Sequence, residues 1–234
     1  MSGLKYMNKT GVIFDLDGVI VDTAKYHFLA WKDVADQLGF EFTEAHNELL
    51  KGVSRVRSLE ILLDIGKVKL PEGEKQEFLI SKNEEYLKYI TKMGPEEILP
   101  GASDLLDMLD KLGVQYVLGS ASKNAPLILR QVNLYSRFVG IVDGNSVSKA
   151  KPDPEVFLIG AEKLNLKPEQ CIVFEDAIAG VEAANRANMI SIGIGDKKTL
   201  HQADFNFDDL TQVTQDFIEA LRKGKKIKNK AHRF

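Results

Sequence analysis

Cysteine is nearly absent from this chain. Cys171 stands alone among 234 residues, so no intramolecular disulfide can hold the fold, and it reads as a small core residue in a reducing compartment. No Cys/His cluster has the spacing of a zinc site. No apolar run is long enough to span a bilayer, and Met1 to Thr10 lacks the apolar stretch of a secretory signal. Asn8-Lys9-Thr10 therefore reads as a chance match to a glycosylation acceptor. Neither sign of charge dominates: 31 Lys and Arg face 34 Asp and Glu, a net charge of −3, which argues against a nucleic-acid-binding body. The tail from Lys223 to Phe234 is basic and reads as a solvated terminus. Gly193-x-Gly195 lacks the remaining glycine of a dinucleotide site. No long apolar stripe demands a partner. These absences describe a cytoplasmic monomer that works without membrane or nucleic acid.

What is present is an α/β rhythm. Short apolar runs occur at Val12 to Phe14, Gln115 to Leu118, Val139 to Val142, Cys171 to Phe174 and Ile190 to Ile194. Amphipathic stretches at about 102–112, 124–134, 154–164 and 177–187 separate the later runs, a pattern that predicts βαβ units and a parallel sheet. Between the first run and Gln115, helical periodicity replaces it. Tyr26 to Leu38 is amphipathic, Ser54 caps a helix through Ile65, and Pro71 opens a stretch to Lys92. Gly94-Pro95 and Pro100-Gly101 mark the return. We therefore expect a helical unit over residues 22–95, inserted into an α/β unit formed by 1–21 and 96–234.

The first run ends in Asp15-Leu16-Asp17-Gly18. A buried strand should not end in two unpaired carboxylates, because desolvating them is costly without a compensating cation or donor. In an open α/β sheet such strand ends face the ligand crevice. Three further polar segments fall at later strand ends. Gly119-Ser120-Ala121-Ser122-Lys123-Asn124 offers hydroxyls and free N–H groups suited to phosphate, or simply a capped βα turn. Lys151, in Lys149-Ala150-Lys151-Pro152-Asp153-Pro154, can neutralise phosphoryl charge or be a solvated loop lysine. Glu175-Asp176 is a second acidic pair, unless Asp176 caps the next helix and Glu175 pairs with a base. Two acidic strand ends in one sheet repel each other unless a cation lies between them, and oxygen-only ligands suit Mg²⁺.

In this order, Asp-x-Asp-Gly, the Ser-bearing strand end, the Lys-Pro loop and Glu-Asp resemble the haloacid dehalogenase superfamily across almost the whole chain. That resemblance implies a Rossmann-like parallel sheet core with an inserted helical-bundle cap. It implies Asp15 as the nucleophile that becomes an aspartyl phosphate and Asp17 as general acid/base. Ser120 and Lys151 would hold the transferring phosphoryl. Asp15, Glu175, Asp176 and the backbone carbonyl of Asp17 would hold Mg²⁺.

The segments Phe14 to Phe28, Leu50-Lys51-Gly52-Val53-Ser54-Arg55 and Ser120 to Asn124 further resemble the superfamily's hexose phosphomutases, with Val21 where threonine is common. These interconvert β-glucose 1-phosphate and glucose 6-phosphate through a bisphosphate. On that resemblance His27 contacts Asp17, and Thr23 engages Asp17 or gates closure. Lys51, Gly52 and Arg55 grip the non-reacting phosphate, Ser58 and Lys82 face substrate, and Trp31 walls the sugar site or belongs to the core. Ser120, Ala121, Ser122, Lys123 and Asn124 complete the substrate contacts. A sugar-phosphate or phosphoglycolate phosphatase of the superfamily is the alternative, and a non-catalytic binding protein on this fold the remote one.

Overall fold

The structure, a computed structural model, describes residues 9–223; Asn8 and the basic tail beyond Lys223 lie outside the described residues. Five strands form at the apolar runs, β1 (Gly11–Phe14), β2 (Tyr116–Gly119), β3 (Ile141–Val142), β4 (Cys171–Glu175) and β5 (Ile190–Ile194), and a sixth, β6 (Phe205–Phe207), lies beyond them. All pair in parallel in the order β3-β2-β1-β4-β5-β6. The chain steps from β1 outward to β2 and β3, then crosses back to place β4 on the other flank of β1. That reversal makes the carboxyl ends of β1 and β4 the switch point of the sheet, where such folds bind ligands.

Alternation along the buried strands divides the core into two layers. Val12 and Phe14 of β1 join Leu118, Ile172 and Phe174 on one face, under helices α5 (Ala102–Lys111), α6 (Ala125–Gln131) and α9 (Gln215–Arg222). Ile13 joins Val117 and Val173 on the other, under α7 (Glu155–Lys163) and α8 (Ile178–Arg186). Three of these helices stop at the same device. Asn133, Asn165 and Asn188 take left-handed backbone, and the N–H after each reaches back to Leu129, Ala161 and Ala184. Asparagine tolerates that backbone, and the apolar residue that follows seals the turn. This is why α6 ends at Gln131 and not at 134.

Other differences have local causes. The third run is shortened to Ile141–Val142 because Val139 sits exposed at the sheet edge. β6 was not expected, since its three half-buried residues, Phe205-Asn206-Phe207, are too few for alternation to be read. α9 was likewise missed, although Thr214 caps it by accepting from the Phe217 N–H.

Helices α1 (Ala24–Leu38), α2 (Glu44–Glu48), α3 (Arg55–Gly66) and α4 (Glu72–Ile90) occupy the intervening stretch. They bury their own cluster, including Trp31, Val34, Leu59, Leu62 and Leu79. Ser54 caps α3, its side chain accepting from the Arg57 N–H. The five-residue α2 was too short to read, though Thr43 and His46 form a reciprocal cap on it. The two strands of chain joining these helices to the sheet run side by side: Val21 bridges Ile98, and the Leu99 N–H donates to Ile20 O at 3.0 Å. Glu97 fastens the join, accepting from Lys25 at 2.6 Å and Tyr26 at 2.5 Å. Among the described residues no helix is long and apolar enough to cross a membrane.

Gly101, at the start of α5, has φ of 80° and no room for a Cβ, which would strike the backbone of Leu210 and Thr211. Gly113, with φ of 64°, faces open space. Gly101→Ala should therefore cost at least about 2 kcal/mol in urea titration, and Gly113→Ala only about 1 kcal/mol, the price of left-handed backbone alone.

Candidate active site

β1 delivers Asp15 to the switch point. Its N–H donates to Phe174 O at 3.0 Å, which keeps the chain beside β4 for one residue past the strand. Lys151, fully enclosed, places Nζ 2.6 Å from Asp15 Oδ1 and 2.7 Å from Glu175 Oε1. The other Glu175 oxygen accepts the Ala177 N–H at 2.7 Å. One buried ammonium thus bridges two buried carboxylates, an arrangement stable only while both partners stay in place. Burial pushes Asp15 up to about 8, against the pull of Lys151. Burial also opposes the charge on Lys151, yet Asp15 and Glu175 hold it above the usual lysine range.

Asp176 does not cap α8; Glu175 takes the free N–H there, and Asp176 turns into the cavity instead. Burial, then Glu175 and Asp15, raise its carboxyl well above the ordinary value. Asp15, Glu175 and Asp176 each offer an oxygen, all within 4.8 Å of one another. Gly18 permits this: with φ of 80°, it carries no Cβ, and one would collide with the Asp176 carboxylate. A hard divalent cation fits such an oxygen-only donor set, and its charge would relieve carboxyls that burial now holds up. Asp17, also raised by burial, accepts a hydrogen bond from Thr23.

β2 delivers the serines. Ser120 Oγ accepts the Ser122 N–H at 3.0 Å, and Ser122 Oγ accepts the Asn124 N–H at 3.3 Å, so the hydroxyls shape this loop as an ST-type turn ahead of α6.

The opposite wall comes from the helical insertion. Lys82, buried on α4, lies over the Trp31 and Tyr86 rings at 4.9 and 4.5 Å and donates to His27 Nδ1 at 2.9 Å. Burial and the nearby Arg55 push Lys82 down to about 7. His27 stacks on Tyr86 at 4.3 Å, and burial, then Lys82 and Arg55, hold it neutral, well below the usual histidine range. Basic side chains are thus gathered here with no carboxylate hydrogen-bonded to Lys82 or Arg55, whereas Lys151 is bonded to two. Between the two ends lies a cavity of about 470 Å³.

Asp15, Asp17, His27, Trp31, Lys51, Gly52, Arg55, Ser58 and Lys82 line that cavity, with Ser120 to Asn124, Lys151 and Asp176. Thr23 and Glu175 stand behind it, each bonded to a lining residue. His27, expected against Asp17, has Lys82 as its hydrogen-bond partner, while Thr23 takes Asp17. Lys51 pairs with Glu48 at 2.9 Å, and its loop touches the sheet unit at Gly52, where a Cβ would press on Ala177. Trp31 belongs both to the insertion's core and to the wall. Sequence reasoning missed Tyr86, which reads as one more core aromatic, and Asn83. Asn83 Oδ1 accepts from Arg55 at 2.6 Å and from Asn124 at 3.0 Å.

Residues 9–188 match the model of the haloacid dehalogenase-like hydrolase family. The chain is 43% identical to a β-phosphoglucomutase of Bacillus subtilis over 88% of this chain and 92% of that one. It is 32% identical to a phosphorylated carbohydrates phosphatase of Thermotoga maritima, over 82% of this chain and 90% of that one. The crystal structure of a β-phosphoglucomutase from Clostridium difficile superposes with a TM-score of 0.86 and 39% identity, covering 90% of this chain and 96% of that one.

An anion bound at the cationic end favours protonated Lys82 and so raises its pKa from about 7. At pH 8 the free side chain is mostly neutral, so binding of a phosphate ester should take up a proton. Calorimetry in buffers of different ionisation enthalpy measures this uptake; it should fall markedly in Lys82→Met, and equal uptake in both proteins contradicts the assignment.

Proposed function

The chain belongs to the haloacid dehalogenase-like hydrolase family, and from that membership we propose that it is a phosphomutase interconverting β-D-glucose 1-phosphate and D-glucose 6-phosphate through a β-glucose 1,6-bisphosphate. The observation that carries the reading is a cavity with two unlike ends. One has Lys151 among carboxylates, and the other has Lys82, Arg55 and Asn124, donors suited to a second phosphate. A phosphatase has use for the first end only. The β-phosphoglucomutases of Bacillus subtilis and Clostridium difficile are alike in sequence and, for the latter, in fold.

Asp15 acts as the nucleophile. In its phosphorylated form it gives the phosphoryl group to a hydroxyl of the bound hexose phosphate. Asp17 accepts the hydroxyl proton as the bond between phosphorus and Asp15 breaks. The bisphosphate turns around, its other phosphoryl returns to Asp15, and Asp17 gives the proton to the departing sugar oxygen. Lys151 offsets charge on the phosphoryl oxygens and Ser120 donates to them. Mg²⁺, held by Asp15, Glu175, Asp176 and the Asp17 carbonyl, supplies when bound a further positive charge against those oxygens.

Residues 22–95 serve as a cap over the core of 1–21 and 96–234. Closure brings Lys51, Gly52, Arg55, Ser58, Trp31 and Lys82 over the sugar and excludes water, so that transfer to sugar outruns hydrolysis. Thr23 orients Asp17, and Lys82, bonded to His27, acts on that acid through its charge and so links it to the position of the cap. In this reading the enzyme is a cytoplasmic monomer that acts on small sugar phosphates and takes neither nucleic acid nor membrane as partner.

The test is an assay with Mg²⁺, β-glucose 1-phosphate and a trace of the 1,6-bisphosphate. Glucose 6-phosphate should exceed released phosphate by more than tenfold, with the α-anomer a poor substrate; phosphate as the main product points to the phosphatase. Asp15→Asn should lower the rate on the order of 10³-fold or more, and full activity in that variant would revive the binding-protein reading.

A further inference from the structure

We propose that Asn83 is a positioning residue that aims the phosphate-gripping end of the cavity and ties it to the sheet unit when the cap is shut; this rests on the phosphomutase reading. Asn83 follows Lys82 on α4, so its side chain leaves the helix about 100° away from that lysine. It does not line the cavity. Its single carbonyl oxygen accepts two donors that do, Arg55 Nη2 at 2.6 Å and Asn124 Nδ2 at 3.0 Å. Arg55 begins α3 in the insertion, whereas Asn124 precedes α6 in the sheet unit. One oxygen therefore joins two helices of the cap to the loop after β2.

An amide suits this post better than a carboxylate. The guanidinium has five N–H donors in a fixed fork, and a neutral acceptor orients it while leaving its positive charge for a phosphate. A carboxylate here would keep both hydrogen bonds but cancel that charge. Without Asn83, Arg55 must pay for its ordering when the substrate arrives, and the Asn124 contact across the seam is lost. The Asp15 end is untouched, since Asn83 contacts none of its residues.

The test compares a substrate that needs the remote grip with one that does not. Acetyl phosphate can phosphorylate Asp15 but has no second phosphate. Asn83→Ala, a favourable change in a helix, should raise KM for the hexose phosphate about tenfold. Phosphorylation by acetyl phosphate should stay within twofold of the parent. In an Arg55→Ala background the same change should add clearly less than tenfold, because only the Asn124 arm is then left to lose. Asn83→Asp should also raise KM, with the cap contact kept. An unchanged KM, an equal loss with both phosphoryl donors, or full multiplication of the two single effects overturns the proposal. If the parent releases phosphate in place of hexose phosphate, the phosphomutase reading fails, and the ratio of KM values for that hydrolysis still decides the role of Asn83.

Discussion

Everything at this site depends on one buried ammonium. Lys151 lies within 2.7 Å of carboxylate oxygens from two adjacent parallel strands, and without it two buried acidic side chains would face each other with no compensating charge. The sheet creates the need: parallel pairing of β1 with β4 brings their acidic ends together, and the fold supplies a lysine from the loop ahead of α7. Even so the charges do not balance. Asp176 and Asp17 remain, both driven toward the neutral form by burial. The surplus is what an oxygen-liganded cation and an arriving phosphoryl group have to answer.

The cap presents the complementary surplus. Lys82, Arg55 and His27 are gathered by helices that pack around Trp31 and Tyr86, with no carboxylate among their bonded partners. Burial holds Lys82 near 7 and His27 neutral, a cost that an anion repays. Two ends, one short of cations and one short of anions, face each other across 470 Å³. A ligand with a phosphate at each end resolves both deficits at once. This physical complementarity favours a bisphosphate-handling enzyme over one that only removes phosphate.

The chemistry was legible in the sequence because its residues are out of place there. Two carboxylates closing an apolar strand at Asp15 and Asp17, and two more at Glu175 and Asp176, violate the pattern around them. Asn83 and Tyr86 violate nothing. An asparagine among Lys82, Glu84 and Glu85 reads as solvated helix surface, and a tyrosine four residues after Lys82 as packing. Their roles arise only when α4 lies against α1, α3 and α6. His27 differs for the same reason: the family resemblance places it on Asp17, while the packing of α4 against α1 sets Lys82 Nζ 2.9 Å from its ring. β6 is hidden differently, as a short edge strand whose pairing with β5 no local periodicity announces.

The central claim is that a phosphoryl group passes through Asp15 between two positions of one sugar. Rapid quench of a single turnover, with hexose bisphosphate labelled in phosphorus, tests it most directly. The label should appear on the peptide carrying Asp15 at early times and then on hexose 6-phosphate, with little in inorganic phosphate. Label that moves straight to inorganic phosphate, or that never resides on Asp15, contradicts the account.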